Sequence, residues 1–541
     1  MTQTIESREA GLTRPANWIA WAAAGILLTL ALGPLARFVS TSAAWLDYPY
    51  PRAGSEGLIL YESLLMKHGG DIYAPITPDR FISGPYPPLF YWLAAAILPD
   101  TLPDFSTPDA VDSIFVPGRI VSLVSAIVTA LLLPLLIFFQ QGAVAVGRRT
   151  VAAALVGGLL AGAIFLSLPQ VTVWATRFRG DMLMIALTTA GLTCVAIGSS
   201  PQGDWKRGSW AWLLAGAAFF SLAFYTKQTA LAGPIASALF LVIRDWRAGL
   251  KWCIAMGTLV LVPFVLLELA TQHWFYLKMV TYHSLPLRSL TLSRLLEFAF
   301  WEDEWPLILL AAVQAAFVLA VAARAWRQKH TNKPPLLLPL FTLAALGTLP
   351  TGAVVGADHN HLLMSGLAIA AGTGALVAYL IGRLTEASHR GTLTWAAGAA
   401  TAILLAVYIL FTSEPSSWYN PDLVKPSVEQ QEQLRKIVYN ISQNPGTLFF
   451  SDDPGFLALA GKETPYDDPF TMAALAPLNR WDETAFRNRL AGGKFSLLLL
   501  SCDVTAPNTC RADTFTPGVL DAIRSGYKVL FRDVMFTYAP R

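Results

Sequence analysis

Apolar residues in this chain fall in long unbroken runs, at approximately 18–40, 114–140, 150–168, 182–198, 209–226, 228–243, 252–270, 305–323, 335–351, 361–382 and 392–412. Roughly 20 such residues cross a bilayer core as a helix, so the pattern predicts eleven membrane helices. The run from Pro87 to Leu98 is too short to cross unaided and predicts a re-entrant or interfacial helix. Beyond Thr412 the pattern changes. Val428–Gln443 has helical periodicity, while 447–451, 495–501 and 527–531 read as strands. The expected fold class is therefore a polytopic α-helical membrane protein with a small α/β C-terminal domain. The expected division is a membrane domain at 1–412, with an outer loop at 41–113, and an extracytoplasmic domain at 413–541.

Composition supports this reading. Of 541 residues, 54% are hydrophobic and 14% charged, and mean hydropathy is +0.48. Soluble domains carry about 25% charged residues. A net charge of +3, spread along the chain, gives no footprint for nucleic acid. Many of the 17 Trp and 16 Tyr stand at the ends of apolar runs, where interfacial anchors belong. The segment before Trp18 is polar and the run after it is too long for a signal core, so the first run is expected to remain as a membrane helix.

Charge also sets the expected orientation. With eleven spans and Arg8 and Arg14 inside, the inner loops hold Arg148–Arg149, Lys206–Arg207, Arg244/Arg247/Lys251, Arg324/Arg327/Lys329/Lys333 and Arg383/Arg390. This obeys the positive-inside rule, and counting 87–98 as a span would put every later cluster outside. The expected location is the plasma (inner) membrane, with the N-terminus cytoplasmic and the C-terminal domain outside. Cys502 and Cys510 then lie on the oxidising side, where they can close a short loop, whereas Cys194 and Cys253 fall within spans.

Three polar constellations fall at the outer face. The first is Asp47 and Glu56 in the outer loop; a partly desolvated carboxylate there can take a proton from an acceptor hydroxyl. Both acids could instead cap the following helix or pair with Arg52, and Glu56, next to that helix, is the favoured base. The second is Arg177 and Arg179 beside Asp181, with Lys227 on the same face. Three cations on the side that normally lacks them mark a functional site, and two guanidiniums with an ammonium suit a phosphate. A loop-anchoring ion pair is the plainer alternative. The third is Asp358-His359-Asn360-His361. These could bind a metal, with His273 or His283 completing the set, or hydrogen-bond sugar hydroxyls; the second is preferred because the histidines are two apart and would not share a helical face. The pairs Asp452-Asp453 and Asp467-Asp468 each precede Pro and read as turn residues. No phosphate loop, nucleophile elbow or dinucleotide fingerprint is present.

Taken in order, several motifs resemble the GT-C superfamily of membrane glycosyltransferases, and most closely the bacterial proteins of the protein O-mannosyltransferase and aminoarabinose transferase group. They are the acid-bearing first outer loop, Tyr86-Pro-Pro-Leu-Phe-Tyr91, Arg119-x-x-Ser122, Arg177-x-Arg179-Gly-Asp181-Met, Thr226-Lys-Gln-Thr-Ala230 and Asp358-His-Asn-His361. The resemblance covers about residues 18–385 and implies inverting transfer of a sugar from a polyprenyl-phosphate donor. The acceptor would be a glycan, lipid or protein outside the cytoplasm. It also implies that Asp47 or Glu56 acts as base. The leaving lipid phosphate needs positive charge from Arg177, Arg179 and Lys227 or from a divalent cation. Tyr86 and Tyr91 are expected to stack on the sugar or its carrier, and Asp181, Asp358, His359 and His361 to bind substrate. A transporter or flippase of a lipid-linked sugar is the rival reading. It would require half-sequence symmetry and mid-membrane charges, and neither is found.

Overall fold

The computed structural model describes residues 14–52, 54–107, 113–141, 148–199, 207–296, 305–327, 336–385, 392–413, 425–506, 509–511 and 513–541. Helices occupy all eleven of the predicted stretches. Among the described residues, 7 helices are long and apolar enough to cross a membrane: Trp18–Leu46, Val116–Gln140, Thr150–Ser167, Asp181–Gly198, Ser209–Thr226, Trp246–Ala270 and His359–Thr385. The Arg148–Arg149 pair opens a helix, Arg148–Ser167, while Lys206, Lys329, Lys333 and Arg390 lie outside the described residues.

Small residues set how closely these helices pack. Helix Leu363–Thr385 is buried along almost its whole length and crosses Arg148–Ser167 at Gly157 and Gly374. A Cβ on Gly157 would lie 2.3 Å from the Gly374 carbonyl oxygen, and one on Gly374 would lie 2.4 Å from that of Gly157. In lipid, helices gain little from hydrophobic burial against one another, so this close backbone approach supplies packing energy instead. Helix Trp246–Ala270 does the opposite, exposing Ile254, Leu261, Leu266 and Leu269 along its length, as a lipid-facing helix can. Leu89–Ile97, within the short run, is a 9-residue helix that buries Phe90, Tyr91 and Ala94.

The C-terminal region folds as an α/β unit. Ser427 and Gln430 form a capping box at the start of helix Val428–Gln443, and Leu434, Ile437, Val438 and Ile441 give it one apolar stripe. Strands β1 (Phe449–Ser451), β2 (Leu497–Leu500), β3 (Tyr527–Arg532) and β4 (Phe536–Pro540) form one sheet in the order β1-β2-β4-β3. β1 and β2 are parallel, the other pairings antiparallel. β4 was absent from the sequence-based expectation. Cys502 and Cys510 are disulfide-bonded; Cys194 and Cys253 are free.

The outer loop and this unit share one core, in which Trp45, Tyr50, Ile59 and Tyr91 join Val438, Phe456, Leu457 and Leu497. The backbone of Phe81 pairs with the segment around Tyr466 as a parallel bridge. Its N–H donates to the Pro465 carbonyl at 2.7 Å. Ser83 N–H donates to Asp467 at 2.9 Å and Ser83 Oγ to Asp468 at 2.9 Å. The two Asp-Pro sites are helix caps: Asp453 accepts from Gly455 N–H and Asp468 from Thr471 N–H.

Candidate functional site

The cations are positioned by a short, heavily anchored turn. Helix Pro169–Trp174 ends in residues 175–180, and helix Asp181–Gly198 begins directly after. Ser122 Oγ lies 2.7 Å from the Arg177 carbonyl oxygen and 2.9 Å from that of Arg179. Between them, the N–H of Phe178 donates to Glu56 at 2.7 Å. The turn thus presents both arginine side chains from a backbone fixed on two sides.

Those side chains converge with Lys227. Arg179 Nε lies 3.2 Å from Asp181, and Lys227 Nζ pairs with the other oxygen of the same carboxylate. Asn360 Nδ2 donates to Asp181 at 2.9 Å, and Arg179 Nη2 donates to Tyr86 Oη at 2.6 Å. Arg177 reaches Asp358 at 3.5 Å, and His359 Nδ1 is 2.8 Å from that carboxylate. Trp174 lies 4.5 Å from the Arg177 guanidinium and 5.2 Å from that of Arg179, and Tyr86 lies 5.5 Å from Lys227 Nζ. These are cation–π distances. Arg177, Arg179, Asp181 and Lys227 are all at least 95% buried, whereas the Asp358 side chain is 44% exposed. Among the described residues, three cations gather about the carboxylates of Asp181 and Asp358 in a low-dielectric setting. Burial alone would push the Asp358 carboxyl upward, but its hydrogen bond to His359 and the Arg177 charge hold it well below the usual carboxylate range.

Of the predicted site residues, Arg177, Arg179, Asp181, Lys227, Asp358 and Tyr86 form one connected cluster, with His359 hung on Asp358. His361 turns aside to Thr351 Oγ1 at 2.9 Å, so the two histidines serve different partners. Tyr91 lines the crevice beside Arg179 and Lys227, but its hydroxyl is committed to Glu62 at 2.5 Å. His273 sits on Glu268, and His283 on the Lys278 carbonyl. Among the described residues, no group of three or more His, Cys, Asp or Glu is gathered as metal ligands would be.

The two acids of the outer loop have contrasting surroundings. Glu56 is fully buried, and each of its oxygens already accepts two hydrogen bonds. Oε1 takes Arg119 Nε at 2.9 Å and Phe178 N–H; Oε2 takes Arg119 Nη2 at 3.0 Å and Arg52 N–H at 2.8 Å. Burial raises its pKa, but Arg119 outweighs that, and the net shift is downward. Glu56 lies in the first turn of helix Gly54–Lys67, with its carboxylate held by these hydrogen bonds. Asp47, the helix C-cap, keeps a side chain 79% exposed, with Lys425 Nζ at 3.8 Å.

Two residues escaped the sequence reading. Arg119 was seen only as part of a motif, although a lone arginine in an apolar run is itself a signal. Glu62 is buried, takes Gly84 N–H at 2.6 Å as well as Tyr91, and burial pushes it up to about 7. Nothing in its sequence context distinguished it from an exposed helix residue.

No protein family and no curated protein matches the sequence itself. Solved structures do match. ArnT from Cupriavidus metallidurans in its apo state aligns over 96% of this chain and 98% of its own length, with a TM-score of 0.56 at 14% identity. The Archaeoglobus fulgidus oligosaccharyltransferase tethered to an acceptor peptide aligns over 97% of this chain and 74% of its own, at 0.51 and 10%. The chain shares the fold of these structures. AglB from the same archaeon, in complex with an inhibitory peptide and a dolichol-phosphate, aligns over 90% of this chain and 69% of its own, at 0.52 and 10%. The likeness to ArnT spans almost the entire chain, the C-terminal unit included.

Proposed function

We propose that this protein is an inverting glycosyltransferase that moves a sugar from a polyprenyl-phosphate donor to an acceptor hydroxyl on the extracytoplasmic side of the membrane. The observation that carries the reading is the buried Arg177–Arg179–Lys227 cluster, set on a GT-C fold at the end of a membrane helix. Neighbours of this fold include AglB, solved with a dolichol-phosphate.

In the proposed reaction, the Asp47 carboxylate accepts the proton of the acceptor hydroxyl. The freed oxygen forms a bond to the anomeric carbon from the face opposite the phosphate. The carbon–oxygen bond to phosphate breaks, and its electron pair leaves with the lipid phosphate, which gains one negative charge. Arg177, Arg179 and Lys227 meet that charge where little water screens it. Asp47 is assigned the base because its carboxylate is accessible while that of Glu56 is fully hydrogen-bonded. Tyr86 and Trp174 flank the cations and would shape the headgroup space.

The test is transfer from radiolabelled polyprenyl-phosphate sugars to membrane extract by purified wild type and Asp47→Asn. Label reaching an acceptor with wild type, and falling by about 10²- to 10⁴-fold with Asp47→Asn, is the expected result. Labelled lipid crossing vesicles without transfer would instead make the protein a transporter.

A further inference from the structure

Each of the five residues Ile82–Tyr86 has a backbone group held by a side chain from another part of the chain. Lys278 Nζ donates to the Ile82 carbonyl at 2.7 Å, and Ser83 N–H donates to Asp467. Gly84 N–H donates to Glu62 Oε1 at 2.6 Å. Gln228 Nε2 donates to the Pro85 carbonyl at 3.2 Å, and Tyr73 Oη donates to that of Tyr86 at 2.6 Å. Gly84 turns the ribbon at φ 53, where a Cβ would lie 2.7 Å from the Ile72 carbonyl oxygen. Pro87 and Pro88 follow, each fixing φ, and helix Leu89–Ile97 begins after them.

This ribbon carries one side chain to the cations. Tyr86 Oη accepts from Arg179 Nη2 at 2.6 Å, and its ring lies 5.0 Å from that guanidinium and 5.5 Å from Lys227 Nζ. Glu62 holds a second wall of the same crevice, because its Oε2 accepts from Tyr91 Oη. Glu62 is fully buried and Tyr73 nearly so. Burying a carboxylate and a phenol is costly, and apolar side chains of similar size would fill the same space at less expense of desolvation. What the two polar groups supply, and apolar ones would not, is the pair of hydrogen bonds to Gly84 and Tyr86.

We propose that Glu62 and Tyr73 are positioning residues for donor binding, acting through Tyr86, whose hydroxyl and ring they hold against Arg179 and Lys227. The proposal rests on the transferase reading above for the identity of the donor as a lipid phosphate. The physical link is the Arg179 fork. Its Nε meets Asp181 while its Nη2 meets Tyr86, so a displaced Tyr86 leaves one arm of the guanidinium without its partner and the fork free to turn.

The experiment titrates fluorescent polyprenyl-phosphate onto purified wild type, Glu62→Met, Glu62→Gln and Tyr73→Phe, each alone and combined with Tyr86→Phe. Unfolding midpoints are recorded in the same detergent. Glu62→Met removes both acceptor oxygens and is expected to weaken binding about tenfold, with Tyr73→Phe losing about three- to tenfold. Glu62→Gln keeps an oxygen for the Gly84 N–H and is expected to stay within about threefold of wild type. Tyr86→Phe already lacks the hydroxyl that Arg179 meets, so in that background Glu62→Met and Tyr73→Phe should each cost less than about threefold more. A purely structural role would lower the midpoint while the folded protein kept its affinity, or would cost the same in both backgrounds; either result overturns the assignment. Should Glu62→Met not fold, Tyr73→Phe, which keeps its ring, completes the same cycle. A wild type that does not bind polyprenyl-phosphate would overturn the transferase reading and the positioning role with it, whereas equal losses in both backgrounds on a wild type that binds would overturn the positioning role alone.

Discussion

Arg119 and Glu56 form a bidentate ion pair in which neither side chain is exposed to solvent. Arg119 also donates to the carbonyls of Trp45, Tyr48 and Tyr50, while Glu56 accepts from the backbone of Phe178. One pair therefore ties the loop that carries Asp47 to the turn that carries Arg177 and Arg179. Removing a single partner leaves a buried charge unpaired, a loss of about 3–5 kcal/mol. Arg119→Met is expected to lower the unfolding midpoint strongly in detergent, and Glu56→Leu likewise. The double variant Arg119→Met/Glu56→Leu should recover part of the loss. Equal midpoints for wild type and Glu56→Leu would show that the pair holds nothing together.

Asp181 bridges Arg179 and Lys227, so the cations are positioned by the same acid that partly neutralises them. A charge-assisted hydrogen bond contributes about 1.5–3 kcal/mol. Lys227→Ala is therefore expected to weaken polyprenyl-phosphate binding by about 10- to 100-fold. Arg179→Lys, which keeps charge but loses the planar fork shared between Asp181 and Tyr86, should fall between wild type and Arg179→Ala. Affinities from a fluorescent polyprenyl-phosphate titration decide it; an Arg179→Lys protein as tight as wild type would reduce the site to simple charge attraction.

Part of this was legible in the sequence because the bilayer makes charge conspicuous. Arg177, Arg179 and Lys227 stood out as cations where the expected orientation lacks them, and the structure brings Arg179 and Lys227 to Asp181 and Arg177 to Asp358. Arg119 and Glu56 were harder, since they are 63 positions apart and nothing local registers their pairing. Asn360 was visible only as the letter between two histidines, yet it is the residue of that motif that reaches Asp181. Glu62 meets Gly84 and Tyr91, and Asp467 meets Ser83, all through tertiary contacts with no period to read. The long apolar runs carried their own signal, while the short strand β4 depends on pairing with β2 and β3.

Gly57 and Gly455 mark a close approach of the outer loop to the C-terminal unit. A Cβ on Gly455 would lie 2.5 Å from Gly57 Cα, and one on Gly57 would lie 2.8 Å from the Gly455 nitrogen. Backbone stands on both sides, so neither neighbour can rotate away. Overpacking of this kind costs about 1–3 kcal/mol. Gly455→Ala should lower the unfolding midpoint and speed amide exchange in helix Gly54–Lys67, whereas Gly25→Ala, which meets nothing within 4 Å, should do neither. Unchanged exchange in Gly455→Ala would mean the two segments are not locked at this contact.

The pH dependence of that lock follows from Asp453, which is buried beside Gly57. Burial first, then the neighbouring Asp452 charge, pushes its carboxyl up to about 8. An acid raised above its unfolded value favours the fold while protonated in both states, below about 4. As pH rises through about 4 the unfolded chain releases the proton and the folded chain does not, so stability falls until about pH 8. Glu62, also raised by burial, adds in the same direction. The unfolding midpoint of wild type is therefore expected to decline between pH 4 and pH 8. Asp453→Asn keeps a side-chain oxygen for the Gly455 N–H but cannot ionise, so its decline should be shallower. Parallel pH profiles for the two proteins would show that Asp453 is charged in the folded state at neutral pH, with its cost met by contacts other than those at this helix crossing.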